Sequence, residues 1–345
     1  MSNFRRWLSL VNPWYWVKAL LQRIGTMTEG RGFLKAGLIL GCAVFVVLVI
    51  VGMWWSRAPS QFDVMAQAQN RAEAQGHSLA VGYTTAATLE HLMQTLLDKP
   101  GGYLMNDVMP PGLWLDNMPN WELGVVIQSR DMARALRRDM SRSQSQSTED
   151  PDLVIAEPQF HFDTGSWILP SAEGEYRRGL RALDSYLNRL TVTGNARAEF
   201  HPRTDSLANW LGDVSTRLGS LSQRLSNSVG GRVYGVGMDP ESFSETPWLE
   251  IDDIFYEARG SAWALVHLLK AVEHDFAPVL EQRNAAASLR QIIRELEATQ
   301  RPLRSPMVLN GDGFGMVANH SLVMANYLSR ANAAVIDLRQ LLQSN

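Results

Sequence analysis

Residues 36–55 read AGLILGCAVFVVLVIVGMWW, 20 residues without a single charge. As an α-helix at about 1.5 Å per residue, this run is roughly 30 Å long, which is the thickness of the hydrocarbon core of a bilayer. We therefore predict one transmembrane helix at 36–55. It separates an N-terminal segment, 1–35, from an outer part, 56–345.

The charges on either side of the run predict its orientation. Up to Arg57 the chain has seven basic residues and one acid, whereas the remainder has 25 basic and 34 acidic residues. Because positive flanks stay in the cytoplasm, we expect the N-terminal segment to be cytoplasmic. The acidic outer part argues against binding of nucleic acid. A cleaved signal sequence ending at Ser56-Arg57-Ala58 is the competing interpretation, but the run is long and 35 residues precede it.

Tryptophans flank the run on both sides, and indole rings prefer the headgroup region of a bilayer. The N-terminal segment is also basic, which predicts an amphipathic segment lying on the inner membrane surface. This segment would reinforce the anchor or dock a partner. The predicted membrane-interface residues are Trp7, Trp14, Trp16, Trp54 and Trp55.

The only cysteine, Cys42, lies inside the apolar run. The outer part therefore has no disulfide and no cysteine ligand for a metal. Together with 28 arginines against four lysines, a bias expected of a GC-rich genome, this favours a bacterial protein. We predict a single-pass inner-membrane protein with its bulk in the periplasm.

The outer part has helical periodicity almost throughout, which predicts an all-α fold: one N-terminal transmembrane helix followed by a periplasmic helical bundle. A polar linker is expected near 143–152 and an irregular stretch at 103–120. The expected helices run from Thr84 or Thr85 to Asp98, over 121–142, over about 247–277 and over about 320–343.

Two segments have heptad spacing. One apolar seam comprises Tyr176, Leu180, Leu183, Leu187 and Leu190, and the other comprises Leu207, Leu211, Val214, Leu218, Leu221 and Leu225. Both have the alternating three- and four-residue spacing of a coiled coil. Because the connection between them is short, the pattern predicts an antiparallel helical hairpin over about 171–227.

Catalytic, cofactor and metal motifs are not found. The sequence lacks the zinc-protease, serine-hydrolase and phosphate-loop patterns, and the glycines of Asn310–Gly315 are read as a tight turn. His267 and His274 are interpreted as ordinary helix histidines. Asp252, Asp253 and Glu257 are kept as a weaker alternative, because glycan hydrolysis needs two facing carboxylates.

The stretch from Tyr103 to Trp121 is unusually rich in methionine and tryptophan. These side chains either cover the bundle or offer an adaptable surface to a partner or to lipid. The candidate partner-binding residues are Tyr103, Met105, Met109, Trp114, Met118 and Trp121.

Three long motifs carry a family resemblance: YLMNDVMPPG, LWLDNMPNWELGVVIQSRDMARALRRDMSRSQSQSTEDPDL and NGDGFGMVANHSLVMANYLSRAN. They resemble an uncharacterised proteobacterial domain-of-unknown-function family. The resemblance implies a single-span envelope protein of gammaproteobacteria, and it brings no activity, cofactor or catalytic residue.

The leading hypothesis is a non-enzymatic scaffold or accessory subunit of an envelope complex, with the lipid bilayer and a protein or a second copy of the chain as partners. The alternatives are a periplasmic hydrolase or glycan-acting enzyme, a ligand sensor, and a trans-envelope adaptor. One anchor and two heptad seams favour the scaffold.

Overall fold

The computed structural model describes residues 32–144, 147–192, 197–229, 246–303, 305, 307–311 and 317–344, with side chains from residue 35. The chain divides into two units, Met1–Trp55 and Ser56–Asn345. The predicted interfacial residues Trp7, Trp14 and Trp16 lie outside the described residues. Most of the predicted turn at Asn310–Gly315 also lies outside the described residues, and so does 230–244, a stretch that contains several glycines.

The first unit contains one described helix, α1 (Gly32–Trp55). Its stretch Lys35–Trp55 has a mean hydropathy of 2.8 and is long and apolar enough to cross a membrane. Side chains that a soluble protein would bury are exposed along it, including Leu40, Phe45 and Ile50. Trp54 is exposed at its end and Trp55 is half-buried.

The second unit is helical, as the periodicity predicts. Within the described ranges its β-pairing is confined to one isolated bridge between Asn310 and Asn319. The helices are α2 (Val64–Ala74), α3 (Tyr83–Asp98), α4 (Asn117–Ala135), α5 (Pro151–Phe160), α6 (Ala172–Leu190), α7 (Thr204–Ser226), α8 (Ile251–Asp275), α9 (Ala277–Gln282), α10 (Ala286–Ala298) and α11 (His320–Gln343).

Helices α4 and α8 form the centre of the bundle and touch backbone to backbone. A Cβ at Gly124 would lie 2.1 Å from the Glu257 carbonyl oxygen, and a Cβ at Gly260 would lie 2.0 Å from the Trp121 carbonyl oxygen. The Ser261 hydroxyl donates to the Gly124 carbonyl across the same crossing (3.2 Å). Only glycine permits this separation, since any side chain would push the helices apart.

The remaining helices surround this pair. On one side α7 packs along α11, which also contacts α10, and on the other α3 packs on α6 and α5 on α6. All residues of both heptad seams are buried, so the apolar faces are confirmed. The predicted hairpin over 171–227 is not confirmed, because the main partners of α6 are α5 and α3 while that of α7 is α11.

Several helix boundaries differ from the predicted ones. Helix α3 begins after Gly82, not at a threonine cap, because the backbone N–H and hydroxyl of Thr85 both donate to Asp275 on α8 (2.7 Å each). Helix α4 begins at Asn117 rather than at 121, because the Asp116 side chain accepts from the Asn117 N–H. A π-helical turn, Leu136–Met140, follows α4.

Helix α5 falls partly within the predicted linker 143–152 and was not predicted. The Asp150 carboxylate caps it by accepting from the N–H groups of Asp152 and Leu153, with Pro151 at the first helical position. Arg189 on α6 then binds both Asp150 and Asp152 (2.6 Å each). The polar residues at the end of the predicted linker therefore form the N-terminus of α5, and their ion pairs with Arg189 bind it to α6. The predicted long helix likewise begins later, at Ile251, after the 3-10 turn Trp248–Glu250.

The segment that opens the second unit is fixed by Phe62. Its ring stacks on His267 of α8 (centroids 4.0 Å apart) and meets His91 of α3 edge-on (4.4 Å). Its backbone N–H donates to His267 Nε2 (3.1 Å), while His267 Nδ1 lies 2.7 Å from the Trp263 carbonyl oxygen. Because a carbonyl only accepts, Nδ1 carries the proton and His267 is neutral.

The glycine crossing gives a first test. Gly124→Ala or Gly260→Ala is expected to lower the free energy of unfolding by about 1–3 kcal/mol or more, because the added methyl meets backbone atoms. Denaturant unfolding of the full chain in mild detergent measures this. The control is Gly219→Ala on α7, where the new methyl meets only the Asn332 side-chain amide at 3.3 Å. A central variant as stable as the control would refute the constraint.

His267 gives a pH-dependent test. Burial lowers its pKa to about 4, against about 6.5 in an unfolded chain, so the unfolded state binds the proton more readily between these values. Its contribution to stability is complete above pH 6.5 and falls as the pH drops towards 4, by at most about 1.4 kcal/mol per pH unit. Burial lowers the pKa of His91 too, so the informative quantity is the difference between wild type and His267→Phe. Parallel curves for the two proteins would contradict the assignment.

Candidate functional site

A buried ion pair organises the loop between α3 and α4. Lys99 at the end of α3 and Glu122 on α4 lie 2.5 Å apart, and their side chains are 2% and 0% exposed. The Glu122 carboxylate also accepts from the backbone N–H groups of Leu104 (3.0 Å) and Met105 (2.8 Å). The Lys99 ammonium donates to the Gly102 carbonyl. Both charges therefore bind the loop backbone as well as each other.

Burial is the largest influence on Glu122 and raises its pKa to about 7, although the Lys99 ammonium and the two backbone donors favour the ionised form. A carboxylate and an ammonium that are both out of contact with water stabilise a structure only when their geometry is met in full. The position of the loop is consequently set by this pair, and small displacements of its backbone are costly.

A second loop, 162–171, joins the first, 103–116. The Asn106 amide donates to the Ser166 carbonyl (2.8 Å) and to the Glu173 carboxylate (2.9 Å). The Tyr103 hydroxyl donates to the Thr164 carbonyl (3.3 Å). Two of these hydrogen bonds connect the loops that precede α4 and α6, and the third joins the first loop to the start of α6.

Large apolar side chains on both loops are exposed. We call them the apolar loop surface: Val108, Met109, Leu113 and Trp114 from the first loop, and Trp167, Ile168 and Leu169 from the second. Met109 is 71% exposed and Leu169 90%. A cluster of such residues on loops held by buried polar contacts is a common feature of interaction surfaces.

Leu169 has an uncommon backbone conformation. Its φ is 50°, in the left-handed region that a γ-branched side chain rarely adopts. Residues held in such a conformation cost free energy and cluster at functional positions. Leu169 combines this backbone conformation with an almost fully exposed apolar side chain, which points to a role in contact with another molecule.

The surroundings of the apolar loop surface are acidic. Residues 103–116 and 162–175 contain five carboxylates and no lysine, arginine or histidine: Asp107, Asp116, Asp163, Glu173 and Glu175. Burial, with the nearby Glu173 charge, raises the pKa of Asp107. Glu175 is buried and paired with Arg178 (3.1 Å), and the Arg130 guanidinium donates to the Phe162 carbonyl of the second loop (2.6 Å). The acidic character of the loops themselves therefore comes from Asp107, Asp116 and Asp163, which favour a partner with basic groups around an apolar centre.

The structure separates the candidate residues that the sequence groups together. Met109 and Trp114 are exposed and Met105 is half-buried, whereas Tyr103, Met118 and Trp121 are in the core. The Tyr103 ring packs edge-on against Tyr176 (5.5 Å), and Trp121 packs against Trp263 (5.1 Å). The second loop was missed, because Trp167–Leu169 have no periodicity that would distinguish exposed from buried residues.

The weaker catalytic candidates take part in helix contacts. Both carboxylate oxygens of Glu257 accept from Arg224 of α7 (2.9 and 2.7 Å), and Asp253 accepts from the Asn120 amide (2.6 Å). Burial raises the pKa of Asp252 and of Asp253. Among the described residues, no group of three or more His, Cys, Asp or Glu side chains is placed to hold a metal.

Comparison with known proteins identifies the family. The family model described as "Uncharacterized protein conserved in bacteria (DUF2333)" matches residues 27–345, and the chain belongs to this family. The match confirms the resemblance seen in the three long motifs. No curated protein and no solved structure is similar enough to count as a match.

The buried pair is testable by a double substitution. Lys99→Met is expected to lower the free energy of unfolding by about 3–5 kcal/mol, because the buried Glu122 carboxyl loses its counterion and must either stay charged or take up a proton, and the donor to the Gly102 carbonyl is lost as well. Lys99→Met with Glu122→Gln should recover part of this loss, since the amide oxygen still accepts from Leu104 and Met105 without a charge. Denaturant unfolding of the full chain, with limited proteolysis of the first loop, measures both. A double variant no more stable than Lys99→Met would contradict the pairing.

Proposed function

We propose that this member of the family is a non-enzymatic, inner-membrane-anchored periplasmic scaffold or accessory subunit of an envelope complex, and that its apolar loop surface binds a protein partner. The observation that carries the proposal is the exposure of seven large apolar side chains on two loops that a buried ion pair and three hydrogen bonds hold in place. A preformed surface loses little conformational entropy on binding.

The acidic surroundings favour a protein over the other candidate occupants. An anionic bilayer surface would be repelled by the carboxylates of the two loops, and a second copy of the chain would bring the same charges to the contact. A protein with an apolar patch bordered by lysine and arginine meets both requirements. Electrostatic complementarity of this kind also raises the association rate.

The location in the proposal rests on helix α1 and on the charges beside it. An apolar helix with exposed side chains is suited to a bilayer. The excess of basic residues before it supports a cytoplasmic N-terminus, which would place Ser56–Asn345 in the periplasm. In this arrangement the bundle would face envelope partners while α1 confines it to the membrane.

A hydrolase built on Asp252, Asp253 and Glu257 is the less supported alternative. Both oxygens of Glu257 are occupied by Arg224, so a general base at this position would have to break an ion pair first. Binding of a partner, in contrast, explains three features of the apolar loop surface together. These are the exposed side chains, the fixed loops and the strained backbone of Leu169.

The proposal is tested at Leu169 and Met109. A photo-crosslinking residue at either position, in cells that produce the full chain, is expected to give a discrete adduct with one partner protein. The matched control position is Leu249, which is 76% exposed and lies outside the two loops. Equal adducts from all three positions, or none from Leu169 and Met109, would sink the proposal.

Leu169→Asn separates binding from folding. Asparagine tolerates the left-handed conformation better than leucine, so stability should stay the same or rise by up to about 1 kcal/mol. Partner recovery in co-purification should nevertheless fall at least severalfold, because the exposed apolar contact is lost. Leu249→Asn should leave recovery unchanged. Retained partner binding by Leu169→Asn, together with undiminished crosslinking at Met109, would show that the second loop is not part of the surface.

A further inference from the structure

A cavity of about 340 Å³ lies between the C-terminal parts of the bundle. Its walls come from α8, from the end of α10 and the residues after it, and from α11. The apolar side includes Phe255, Leu303, Val323 and Met324. A cavity of this volume is at the small end of the range that holds organic ligands.

The polar groups of the cavity are all capable of donating hydrogen bonds. They are Arg259, Arg301, His320, Tyr327 and Thr299, whose hydroxyl already donates to the Leu296 carbonyl (2.5 Å), and no carboxylate is among the lining residues. In the described part of the chain, neither the half-buried Arg259 nor the exposed Arg301 has a carboxylate within 4.0 Å, although many other arginines in it do, such as Arg71 and Arg330. An excess of cationic donors around an apolar space is the chemistry of an anion site.

Arg259 is half-buried, and only part of its donor capacity is used. Its Nη2 donates to the carbonyl oxygens of Gln300 (3.1 Å) and Arg301 (3.0 Å), and these bonds fix the guanidinium at the cavity wall. Its other nitrogens form no hydrogen bond with the described residues. Burial lowers the pKa of Arg259, which is the direction expected for a charge without a counterion.

His320 presents a donor to the same space. The backbone N–H of Leu309 donates to its Nδ1 (3.0 Å), so the proton of the neutral ring is on Nε2. Burial lowers the pKa of His320, which favours this neutral form. A neutral histidine donor beside two arginines suits an anion that is bound by hydrogen bonds as well as by charge.

A second cavity, of about 500 Å³, shares Arg259 and Arg301 with the first. It is lined in addition by residues 58–61, Trp263, Gln300 and the carboxylate Glu297. Glu297 is paired with Lys270 (2.6 Å), so its charge is already matched by a residue outside both cavities. The two guanidinium groups therefore stand between an apolar cavity and a more polar one. This arrangement fits a ligand with an anionic head at the arginines and a short apolar chain directed to Phe255 and Met324.

From this geometry we propose that the Arg259 cavity binds a single-chain anionic amphiphile, an alkyl chain that ends in a carboxylate or phosphate. The source of the chain is either a membrane lipid or a free alkyl acid. Both share the head and tail chemistry that the cavity recognises. The site is separate from the apolar loop surface, so its test is independent of the proposed scaffold function.

The probe is octanoate, which is soluble as a monomer and carries a carboxylate on a short chain. Its binding to the full chain in phosphatidylcholine nanodiscs should exceed that of octanamide at least tenfold, because only the carboxylate pairs with the arginines. Arg259→Gln should weaken octanoate binding about tenfold. Arg294→Gln on α10, which removes an exposed arginine that makes no ion pair among the described residues, is the matched control and should have no effect.

A second variant tests the site without the risk that a half-buried arginine is needed for folding. Val323 lines the cavity and is 55% exposed, so Val323→Asp should fold while placing a carboxylate beside the arginines, and octanoate binding should be lost. Mass spectrometry of lipid retained by wild type but not by Val323→Asp would identify a membrane lipid as the source, and octanoate binding without retained lipid would identify a free acid. Equal binding of octanoate and octanamide, or unchanged binding in both variants, would overturn the proposal.

Discussion

The close approach of α4 and α8 at Gly124 and Gly260 is the constraint on which the other features depend. The carbonyl oxygens of Trp121 and Glu257 lie 2.0 and 2.1 Å from where a Cβ of Gly260 and Gly124 would be, so the two backbones come closer than any side chain at these positions would allow. Fixing these backbones also fixes the residues next to them. Glu122 follows Trp121 on α4, and Arg259 precedes Gly260 on α8.

Each functional feature begins within one or two turns of this crossing. Glu122, beside Trp121, pairs with Lys99 and positions the first loop. Trp263 contacts Trp121 on one side and His267 on the other, and His267 holds Phe62. Arg259 precedes Gly260 and forms the cavity wall. A change at the crossing would therefore disturb the loop surface, the Phe62 contact and the cavity together, although these lie on different elements.

The sequence predicted the elements better than their partners. The spacing of Leu207, Leu211 and Val214 determines which face of α7 is buried, but it carries no information about which helix covers that face. The hairpin was inferred from chain proximity, and α11, more than 90 residues further along, takes the place instead. The start of helix α5 has a sequence signal, an aspartate followed by a proline at 150–151. The polar residues before it led instead to the prediction of a linker.

The candidate site was predictable only in part. Tyr103, Met118 and Trp121 share their composition with Met109 and Trp114, and only the packing on Tyr176 and Trp263 separates buried from exposed members. The role of Glu257 could not be predicted from its own helix either, because its ion-pair partner Arg224 belongs to another helix. Exposure of a methionine or tryptophan in a loop depends on tertiary contacts that no local pattern records.

The charges of the two proposed sites argue that they serve different ligands. The two loops of the apolar loop surface have three carboxylates, Asp107, Asp116 and Asp163, and no basic residue, whereas the Arg259 cavity has two arginines and no carboxylate in its lining. An anionic amphiphile that fits the cavity would be repelled from the loops, and a partner with a basic border would be repelled from the cavity. One route between them is α8, which carries Arg259 and contacts α4 at the glycine crossing, and another runs from α11 through α7 to α4. Along α8, binding at the cavity would change the loop surface only if it moved the glycine crossing, and the backbone contact there leaves it little room to move.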